Sequence, residues 1–266
     1  LALRRVTGPI NITNPGWSDT ALSVVDAQLH AGGAQSDLRD KLGTMTQYDT
    51  PVSSPSDYFV RVFGLSSDAV VLAGTGDNPA TLLGSGGDLV ISLGSSYTVN
   101  GVLAGLGRLD GAEYNVFGYI PGSAMALSVV TNGTKVHDAF RQQYTSDGSW
   151  ASYAALAGGR DVRDAEPLLL PYLQQESVPV RPAGIVRGGF DANDVRSNVR
   201  ALHLSQALSL RVHSSHVSDP RSMAIVGGGS HNDLLRSFIT DAFGAETYRI
   251  RSGEYAAPLG CAIAAA

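Results

Sequence analysis

The amino-acid sequence predicts an α/β protein in which strands alternate with helices in packed layers. Three apolar runs of strand length, at residues 68–73, 88–93 and 222–226, each end at a glycine. The first and third runs are followed by apolar residues at helical spacing. The 266 residues, 43% of them hydrophobic and 16% charged, suffice for one large or two ordinary domains. We therefore expect two layered domains.

The amino-terminal part combines helices with one strand and a tight turn. Residues 17–42 carry apolar positions at helical spacing around a glycine pair, which predicts a helix, a break and a second short helix. The strand at 68–73 stops at a glycine-rich turn, residues 74–79, and a helix start follows. Asp77 in this turn would present its carboxylate to a cleft. We place a domain boundary near residue 85.

The middle of the chain contains a second buried strand and a long helix. Residues 88–93 form an apolar strand that ends at Gly94. Residues 137–157 indicate a helical surface segment, and residues 167–173 a buried extended piece bracketed by prolines. From Asp194 the apolar positions continue at helical spacing to residue 212, which predicts one long helix packed on the second sheet.

The last section repeats the order of strand, glycine turn, helix, strand and helix. A strand at residues 222–226 leads into a turn at 227–232, and an amphipathic helix then ends at Gly244, where a C-cap glycine is typical. Residues 246–250 indicate another strand. Residues 256–266 are rich in small side chains, so we expect a helix that approaches its neighbours closely.

Composition and charge limit the class of partner. The net charge of −5 and the absence of a Lys/Arg-rich run argue against nucleic acid, and no apolar stretch approaches the roughly 20 residues that a membrane span needs. The single cysteine, Cys261, permits no internal disulfide, which indicates a reducing compartment, the cytoplasm, and a thiol packed in the core. The chain begins at Leu1 without an initiator Met, so we expect it to start inside a longer protein.

Three strand ends carry glycine turns with small polar residues, at 74–78, 94–96 and 227–232. Ligands bind at the carboxyl ends of strands in α/β sheets, where glycines let backbone N–H groups approach phosphate oxygens. Taken singly, each turn could be a simple connection. No segment matches the G-x-x-x-x-G-K-[ST] motif or a dinucleotide fingerprint.

Taken together, the turns resemble the FGGY carbohydrate kinases, whose second half runs from a G-G-D-N motif through S-L-G-T-S to G-G-G and a closing A-A-x-G-A-A helix. The matching segments are Gly74-Thr75-Gly76-Asp77-Asn78-Pro79-Ala80, Ser92-Leu93-Gly94-Ser95-Ser96, Gly227-Gly228-Gly229-Ser230-His231-Asn232 and Ala256-Ala257-Pro258-Leu259-Gly260-Cys261-Ala262. The resemblance covers residues 10–266, and the motif variants look most like those of eukaryotic-type xylulokinases. Departures include Ser95 for the usual Thr and Pro258 in the last helix.

This resemblance implies an actin-like ATPase fold of ribonuclease-H-like domains. Residues 1–84 would be the carboxy-terminal part of the first domain, and residues 85–266 the second, nucleotide-binding domain. The implied reaction is ATP- and Mg²⁺-dependent phosphorylation of a ketose hydroxyl, D-xylulose to D-xylulose 5-phosphate. The implied partners are therefore a sugar and ATP, with neither nucleic acid nor membrane, and a homodimer is compatible with the family.

The resemblance also assigns roles to individual residues. Asp77 would be the general base, and Asp77 and Asn78 would contact the sugar. The expected nucleotide contacts are Gly94, Ser95, Ser96, Gly227, Gly228, Gly229 and Asn232. No metal-ligating residue is expected in this half, and His203, His213, His216 and His231 are interpreted as structural or surface residues because none has a partner at metal-ligand spacing.

Several alternatives stay open at this point. Asp77 could simply cap the following helix, Asn232 could cap its own helix instead of binding adenine, and the turn at 94–96 could be an ordinary strand connection. The parent protein could act on another sugar or polyol, or could be a non-catalytic nucleotide-binding module. Because the early phosphate motif and most sugar contacts of the family lie in its first half, we expect little or no kinase activity from these 266 residues alone.

Overall fold

The computed structural model describes residues 17–42, 46–103, 114–120, 123–158, 166–217, 219–250 and 253–266. The first described elements are α1 (Asp19–Ala31), α2 (Leu38–Leu42), β1 (Pro51–Ser53), α3 (Asp57–Phe63) and β2 (Val71–Leu72). The predicted helix, glycine break and second helix are confirmed by α1, Gly32 and α2. The strand predicted over 68–73 is only two residues long, because its antiparallel partner β1 pairs with Val71 and Leu72 alone.

A six-stranded mixed sheet forms the centre of the fold. Its strands are β3 (Leu89–Leu93), β4 (Tyr97–Val102), β5 (Asn115–Gly118), β6 (Ala124–Val130), β11 (Ser222–Val226) and β12 (Glu246–Arg249). They lie in the order β12-β11-β3-β4-β6-β5. The strands from β3 to β5 pair antiparallel, whereas β11 runs parallel to both β3 and β12. The strands predicted at 88–93, 222–226 and 246–250 are confirmed, and the structure places them next to one another in this sheet.

Helices and two short ribbons surround the sheet. They are α4 (Asp77–Ser85), α5 (Thr134–Tyr144), α6 (Trp150–Leu156), α7 (Val195–Val212), α8 (Asp233–Phe243) and α9 (Ala256–Ala264), with ribbons formed by β7 (Leu168–Tyr172) and β10 (Gly184–Gly188) and by β8 (Glu176–Ser177) and β9 (Val180–Arg181). The long helix predicted from Asp194 is α7, whose N-cap is that aspartate. No helix in the described ranges is long and apolar enough to cross a membrane.

The two faces of the sheet pack against different helices because side chains alternate along each strand. Leu89, Ile91 and Leu93 of β3 join one core with residues of α7 and α8. Val90, on the opposite face, joins a smaller core with Leu82 of α4. The second face is therefore covered by α4 at one end, and its other end forms part of a cleft.

Helix α4 is held against the sheet by a close crossing with α9. A Cβ atom on Gly84 would lie 1.9 Å from the carbonyl oxygen of Ala256, and one on Gly260 would lie 1.9 Å from that of Ala80. The predicted close approach of the small-residue helix is thus confirmed. Cys261, expected in the core, is exposed instead. The neighbouring Gly260 faces α4, so the next position points away from the contact.

Two predictions about surface and core were only partly correct. The segment 137–157 does contain helices α5 and α6, but His137, Phe140 and Tyr153 are buried rather than on the surface. The piece at 167–173 is extended but only half buried. Leu169 is 3% exposed whereas Leu170 is 48% exposed, because the β7–β10 ribbon packs on α7 through one face only.

Candidate functional site

A cleft of about 1090 Å³ lies at the carboxyl ends of β11 and β12, beside the start of α4. Asp77 and Asn78 line one side, and Gly227 and Gly228 line the strand ends. The structure thus brings together two of the predicted glycine turns, although they are far apart in the sequence. The other predicted contacts, Gly94, Ser95, Ser96, Gly229 and Asn232, are not part of the cleft lining.

Asp77 is the first residue of α4 and its carboxylate is exposed in the cleft. Gly76, in an extended conformation, holds the N-cap position, so the aspartate is not the capping residue. Its Oδ1 accepts hydrogen bonds from the backbone N–H of Asn78 at 2.8 Å and from the Asn78 side-chain amide at 3.1 Å. Within the described residues no donor reaches Oδ2, which leaves this oxygen able to accept a proton or a hydrogen bond from a ligand.

The three glycines after β11 have different surroundings. Gly227 has φ +84°, and a Cβ there would lie 2.9 Å from the carbonyl oxygen of Leu93. A Cβ on Gly229 would lie 2.8 Å from the Cβ atom of Leu93 and 3.1 Å from the Thr134 hydroxyl oxygen. Gly228 has no neighbour within 4 Å of such a Cβ and lines the cleft. Gly227 and Gly229 are therefore needed for packing against the end of β3, and Gly228 is free to approach a ligand.

The turn at Gly94, Ser95 and Ser96 connects β3 to β4 and packs on the start of α5. The carbonyl oxygen of Gly94 accepts a hydrogen bond from the backbone N–H of Thr134 at 3.1 Å, and the Ser96 hydroxyl donates to the carbonyl oxygen of Thr131 at 3.2 Å. Ser95 is exposed. The turn directly follows Leu93, the residue that Gly227 contacts, so it adjoins the cleft without lining it, and its predicted phosphate contact stays a prediction.

Asn232 is the N-cap of α8, and both ends of its amide are used. Oδ1 accepts a hydrogen bond from the backbone N–H of Leu235 at 3.0 Å, and Nδ2 lies 2.9 Å from Nε2 of His203. Because Nδ1 of His203 lies 2.7 Å from the Val199 carbonyl, that nitrogen carries the proton and Nε2 accepts from Asn232. The capping alternative thus describes this side chain in the structure, and a contact with adenine stays a prediction.

A second buried histidine lies beside this hydrogen bond. His137 contacts the Tyr153 hydroxyl through Nδ1 at 2.9 Å and the Gln206 amide oxygen through Nε2 at 2.6 Å. Burial, and then the neighbouring His203, lower the pKa of His137 well below 6.5, and burial lowers the pKa of His203 to about 4. Both imidazoles are therefore neutral. His137 joins α5 to α6 and α7, and His203 joins α7 to the N-cap of α8.

Sequence reasoning missed several polar residues of the cleft. Ser92, Thr98 and Asn100 line it from the face of β3 and β4. Arg249 lines it as well and contacts Nδ1 of His231 at 2.7 Å. The polar residues at 98 and 100 alternate as residues on one face of a strand do, and this pattern was a signal for the polar residues of β4. Nothing in the sequence identifies Arg249, because its position depends on β12 pairing beside β11.

No metal centre is formed by protein side chains alone within the part of the chain that the structure describes, since no group of three or more His, Cys, Asp or Glu residues could hold an ion there. Asp77 is the one carboxylate among the described residues of the cleft lining. An ion in this cleft would need oxygen ligands from another source, such as the phosphates of a nucleotide.

Comparisons with known proteins agree with this architecture. The chain is 30% identical to xylulose kinase 2 of Arabidopsis thaliana over 261 residues, which covers 86% of the chain and 45% of that protein. It is 26% identical to the xylulose kinase of Mus musculus, covering 91% of the chain and 44% of the relative. The chain thus spans about half the length of the curated relatives it matches.

Solved structures share the fold. A ligand-bound xylulose kinase from Lactobacillus acidophilus matches 97% of this chain and 53% of its own, with a TM-score of 0.81 and 17% identity. The glycerol kinase of Plasmodium falciparum, solved with ADP, matches 98% of this chain and 53% of its own with a TM-score of 0.73 and 13% identity. The expected actin-like ATPase fold is confirmed by this likeness.

The family itself follows from the sequence of the larger part of the chain. Residues 83–266, which contain the six-stranded sheet, the turn at 227–232 and the closing helix α9, match the profile of the carboxy-terminal domain of one kinase family. This chain therefore belongs to the FGGY family of carbohydrate kinases.

Proposed function

We propose that the chain works as the nucleotide-binding half of an ATP-dependent kinase that converts D-xylulose to D-xylulose 5-phosphate. The observation that carries the proposal is the shared cleft, in which Asp77 and Asn78 from α4 face the same space as Gly227 and Gly228 from the turn after β11. Phosphoryl transfer to a hydroxyl needs two kinds of group from this half. One is a carboxylate that accepts the proton, and the other is glycine backbone at strand ends that can approach phosphate oxygens.

In the proposed reaction the 5-hydroxyl oxygen of the sugar attacks the γ-phosphorus of ATP. The bond from that phosphorus to the β,γ-bridging oxygen breaks, ADP leaves, and the hydroxyl proton passes to Oδ2 of Asp77. The carboxylate is held in place because its Oδ1 accepts two hydrogen bonds from Asn78. Such a transfer depends mainly on alignment and charge neutralisation, so a fixed carboxylate is a sufficient base.

Mg²⁺ belongs to the same proposal. In kinases this ion is held mostly by phosphate oxygens and water, with one or two carboxylates. No ligand of the ion is assigned to this half: phosphate oxygens and water would supply most of its ligands, and a carboxylate of the family's first half would supply the rest. The ion would neutralise charge on the transferred phosphoryl group, while Gly228 and the turn at Gly94, Ser95 and Ser96 would donate backbone hydrogen bonds.

The division of the chain is also proposed on physical grounds. Helix α4 ends at Ser85, and Gly86 follows in a left-handed conformation. The main cores are formed by residues after this point, with Leu82 of α4 joining the smaller one. We therefore propose residues 1–84 as the end of a first domain and 85–266 as the second. A homodimer is also proposed, on the basis of exposed apolar side chains such as Leu170 and Val186. The proposed compartment is the cytoplasm, since the single cysteine permits no internal disulfide.

D-xylulose is favoured among sugars because the matched relatives are named xylulose kinases. The fold does not discriminate, since a gluconate kinase from Lactobacillus acidophilus has a TM-score of 0.82 at 17% identity.

The test is ATP consumption by the full-length protein with a panel of D-xylulose, D-ribulose, gluconate and glycerol, with and without Mg²⁺. We expect Mg²⁺-dependent turnover with kcat/KM highest for D-xylulose. Preference for another sugar would correct the substrate, and ATP binding without any turnover would favour a non-catalytic nucleotide-binding module.

A further inference from the structure

A row of polar side chains crosses the floor of the cleft on one face of the central sheet. Ser92 of β3 lies directly opposite Thr98 of β4 in the strand register, and Asn100 follows on the same face two residues later. All three line the cleft. Their neighbours on that face include the buried Val90, which belongs to the smaller core.

Asn100 has a hydrogen-bonding atom that nothing in the described part of the chain satisfies. The residue is only 2% exposed, and its Nδ2 donates to the Thr98 hydroxyl at 3.2 Å. Its Oδ1 is buried and has no hydrogen-bond partner. Its neighbours across β3 and β6 are the apolar side chains of Val90 and Leu127. Leaving an amide oxygen unpaired in such surroundings destabilises the protein, so a group that occupies the cleft and bonds to it has a clear advantage.

The chemistry of the amide indicates what that group is. If the amide were rotated by 180°, the hydroxyl of Thr98 would bond to Oδ1 and Nδ2 would be left unpaired, so one end of Asn100 is free in either orientation. A ligand hydroxyl both donates and accepts hydrogen bonds, and it therefore satisfies both cases. A phosphate oxygen accepts only and would satisfy one.

We propose that Asn100, supported by Thr98, is a sugar-binding residue that forms a hydrogen bond with a hydroxyl of the phosphoryl acceptor. The acceptor is the favoured source of that hydroxyl because Asn100 lies opposite Val90, which shares a core with Leu82 of α4, the helix that begins with Asp77. The inference rests on the proposed kinase function and adds a specificity-determining residue from the second domain. A ribose hydroxyl of the nucleotide is the other source with the same chemistry.

The experiment compares two leucine variants of the full-length protein. Asn100→Leu removes the amide at similar volume. Asn115→Leu is the matched control, because Asn115 lies on the same sheet face opposite Leu127 but does not line the cleft. Binding of D-xylulose alone is measured by titration calorimetry, KM for ATP by turnover, and the melting temperature of each variant by circular dichroism.

We expect Asn100→Leu to weaken D-xylulose binding by about 3- to 10-fold, the usual effect of one lost hydrogen bond to an uncharged group. KM for ATP should stay unchanged, as should all values for Asn115→Leu. The melting temperature of Asn100→Leu should be equal or higher, because the substitution removes an unsatisfied polar group from the core.

Other outcomes would show whether the inference about Asn100 or the proposed kinase function is wrong. Unchanged sugar binding with a lower melting temperature would overturn the inference and make Asn100 a structural residue. A raised KM for ATP with unchanged sugar binding would overturn it in favour of the ribose hydroxyl. If the unsubstituted protein binds none of the panel sugars, the proposed function itself is wrong and the inference falls with it. If the unsubstituted protein and Asn100→Leu bind D-xylulose equally well, the inference about Asn100 is contradicted and the proposed kinase function is not.

Discussion

His203 is a neutral imidazole on which the turn at 227–232 depends. Its Nε2 accepts a hydrogen bond from Asn232, and Asn232 in turn caps α8. Protonation would replace this acceptor with a donor that faces the amide nitrogen of Asn232, and the buried charge would have little solvation. The folded protein therefore resists protonation at His203 and at the neighbouring His137.

This arrangement predicts a loss of stability as the pH falls. Because the pKa of His203 is about 4 in the folded protein and near 6.5 in the unfolded chain, the unfolded chain binds more protons below pH 6.5. The contribution of neutral His203 to the free energy of unfolding is fully present above pH 6.5 and is lost as the pH falls from 6.5 to about 4. His203 should cost about 2 kcal/mol of stability between pH 7 and pH 5, and His137, whose pKa is lowered by burial and by His203, acts in the same direction.

The measurement is the free energy of unfolding by urea at pH 7 and pH 5, for the unsubstituted protein and for His203→Gln. Between pH 7 and pH 5 we expect the free energy of unfolding to fall by about 2 kcal/mol less in His203→Gln than in the unsubstituted protein. Glu176 does not disturb the comparison. Burial would raise the pKa of its carboxyl, but hydrogen bonds from Asn132, Thr131 and Ser177 outweigh burial and lower it below 4.5. An equal loss in both proteins would contradict the role given to His203.

Single residues of the site were predictable from the sequence to different degrees. Asp77 was placed at a cleft because a strand, a glycine turn and a helix follow one another there, and the structure agrees. The turn at 227–232 was also found, but the sequence does not show that Gly229 packs on Leu93. Asn100 was missed, since its place in the cleft lining depends on the order of strands that are distant in sequence.

The crossing of α4 and α9 is the contact that positions Asp77. Both helices present glycine at the closest point, where any side chain would collide with backbone atoms of the other helix. The helix that begins with Asp77 is thereby held at a fixed distance from the sheet. A change in this crossing should affect both stability and the position of the carboxylate.

We predict that Gly84→Ala destabilises the protein by about 2 kcal/mol. Alanine stabilises a helix by about 1 kcal/mol relative to glycine. However, the new Cβ would lie 1.9 Å from the Ala256 carbonyl oxygen, and the steric clash destabilises the protein by more than that gain. The unfolding free energy in urea checks this value.

Gly118→Ala is the control for that measurement. No atom lies within 4 Å of a Cβ at this strand position, so a change below about 1 kcal/mol is expected. If Gly84→Ala were as stable as the control variant, α4 and α9 would not be in the close contact described.

Elements with strong helical periodicity were predictable, and paired strands were less so. Helices α7 and α8 and strand β11 were found at nearly their observed bounds because their apolar patterns are regular. Strands β4, β5 and β6 were not predicted. In β4 the interior Gly101 weakens the strand pattern, yet it is needed because a Cβ there would lie 2.2 Å from a methyl group of Val217.

At the scale of the molecule, buried and exposed apolar residues are distributed unevenly along the chain. In the described residues before α4, Leu22 is the one buried apolar side chain, whereas Tyr58, Phe59 and Phe63 of α3 are about half exposed or more. The cores belong to the part that follows. This distribution supports the proposal that residues 1–84 are the end of a first domain and that residues 85–266 form the second.

The central claim is that one carboxylate in the cleft, Asp77, accepts the proton of the sugar hydroxyl. The most direct measurement is the initial rate of sugar phosphorylation by full-length Asp77→Asn with saturating ATP and Mg²⁺. Asp57→Asn is the matched control, because Asp57 is likewise the exposed first residue of a helix but does not line the cleft.

We expect kcat of Asp77→Asn to fall by at least about 100-fold, the lower end of what a general base contributes, with KM for ATP nearly unchanged. Asp57→Asn should keep the unsubstituted rate. An Asp77→Asn enzyme with kcat within about threefold of the unsubstituted protein would contradict the claim, because a group that contributes so little is not the general base.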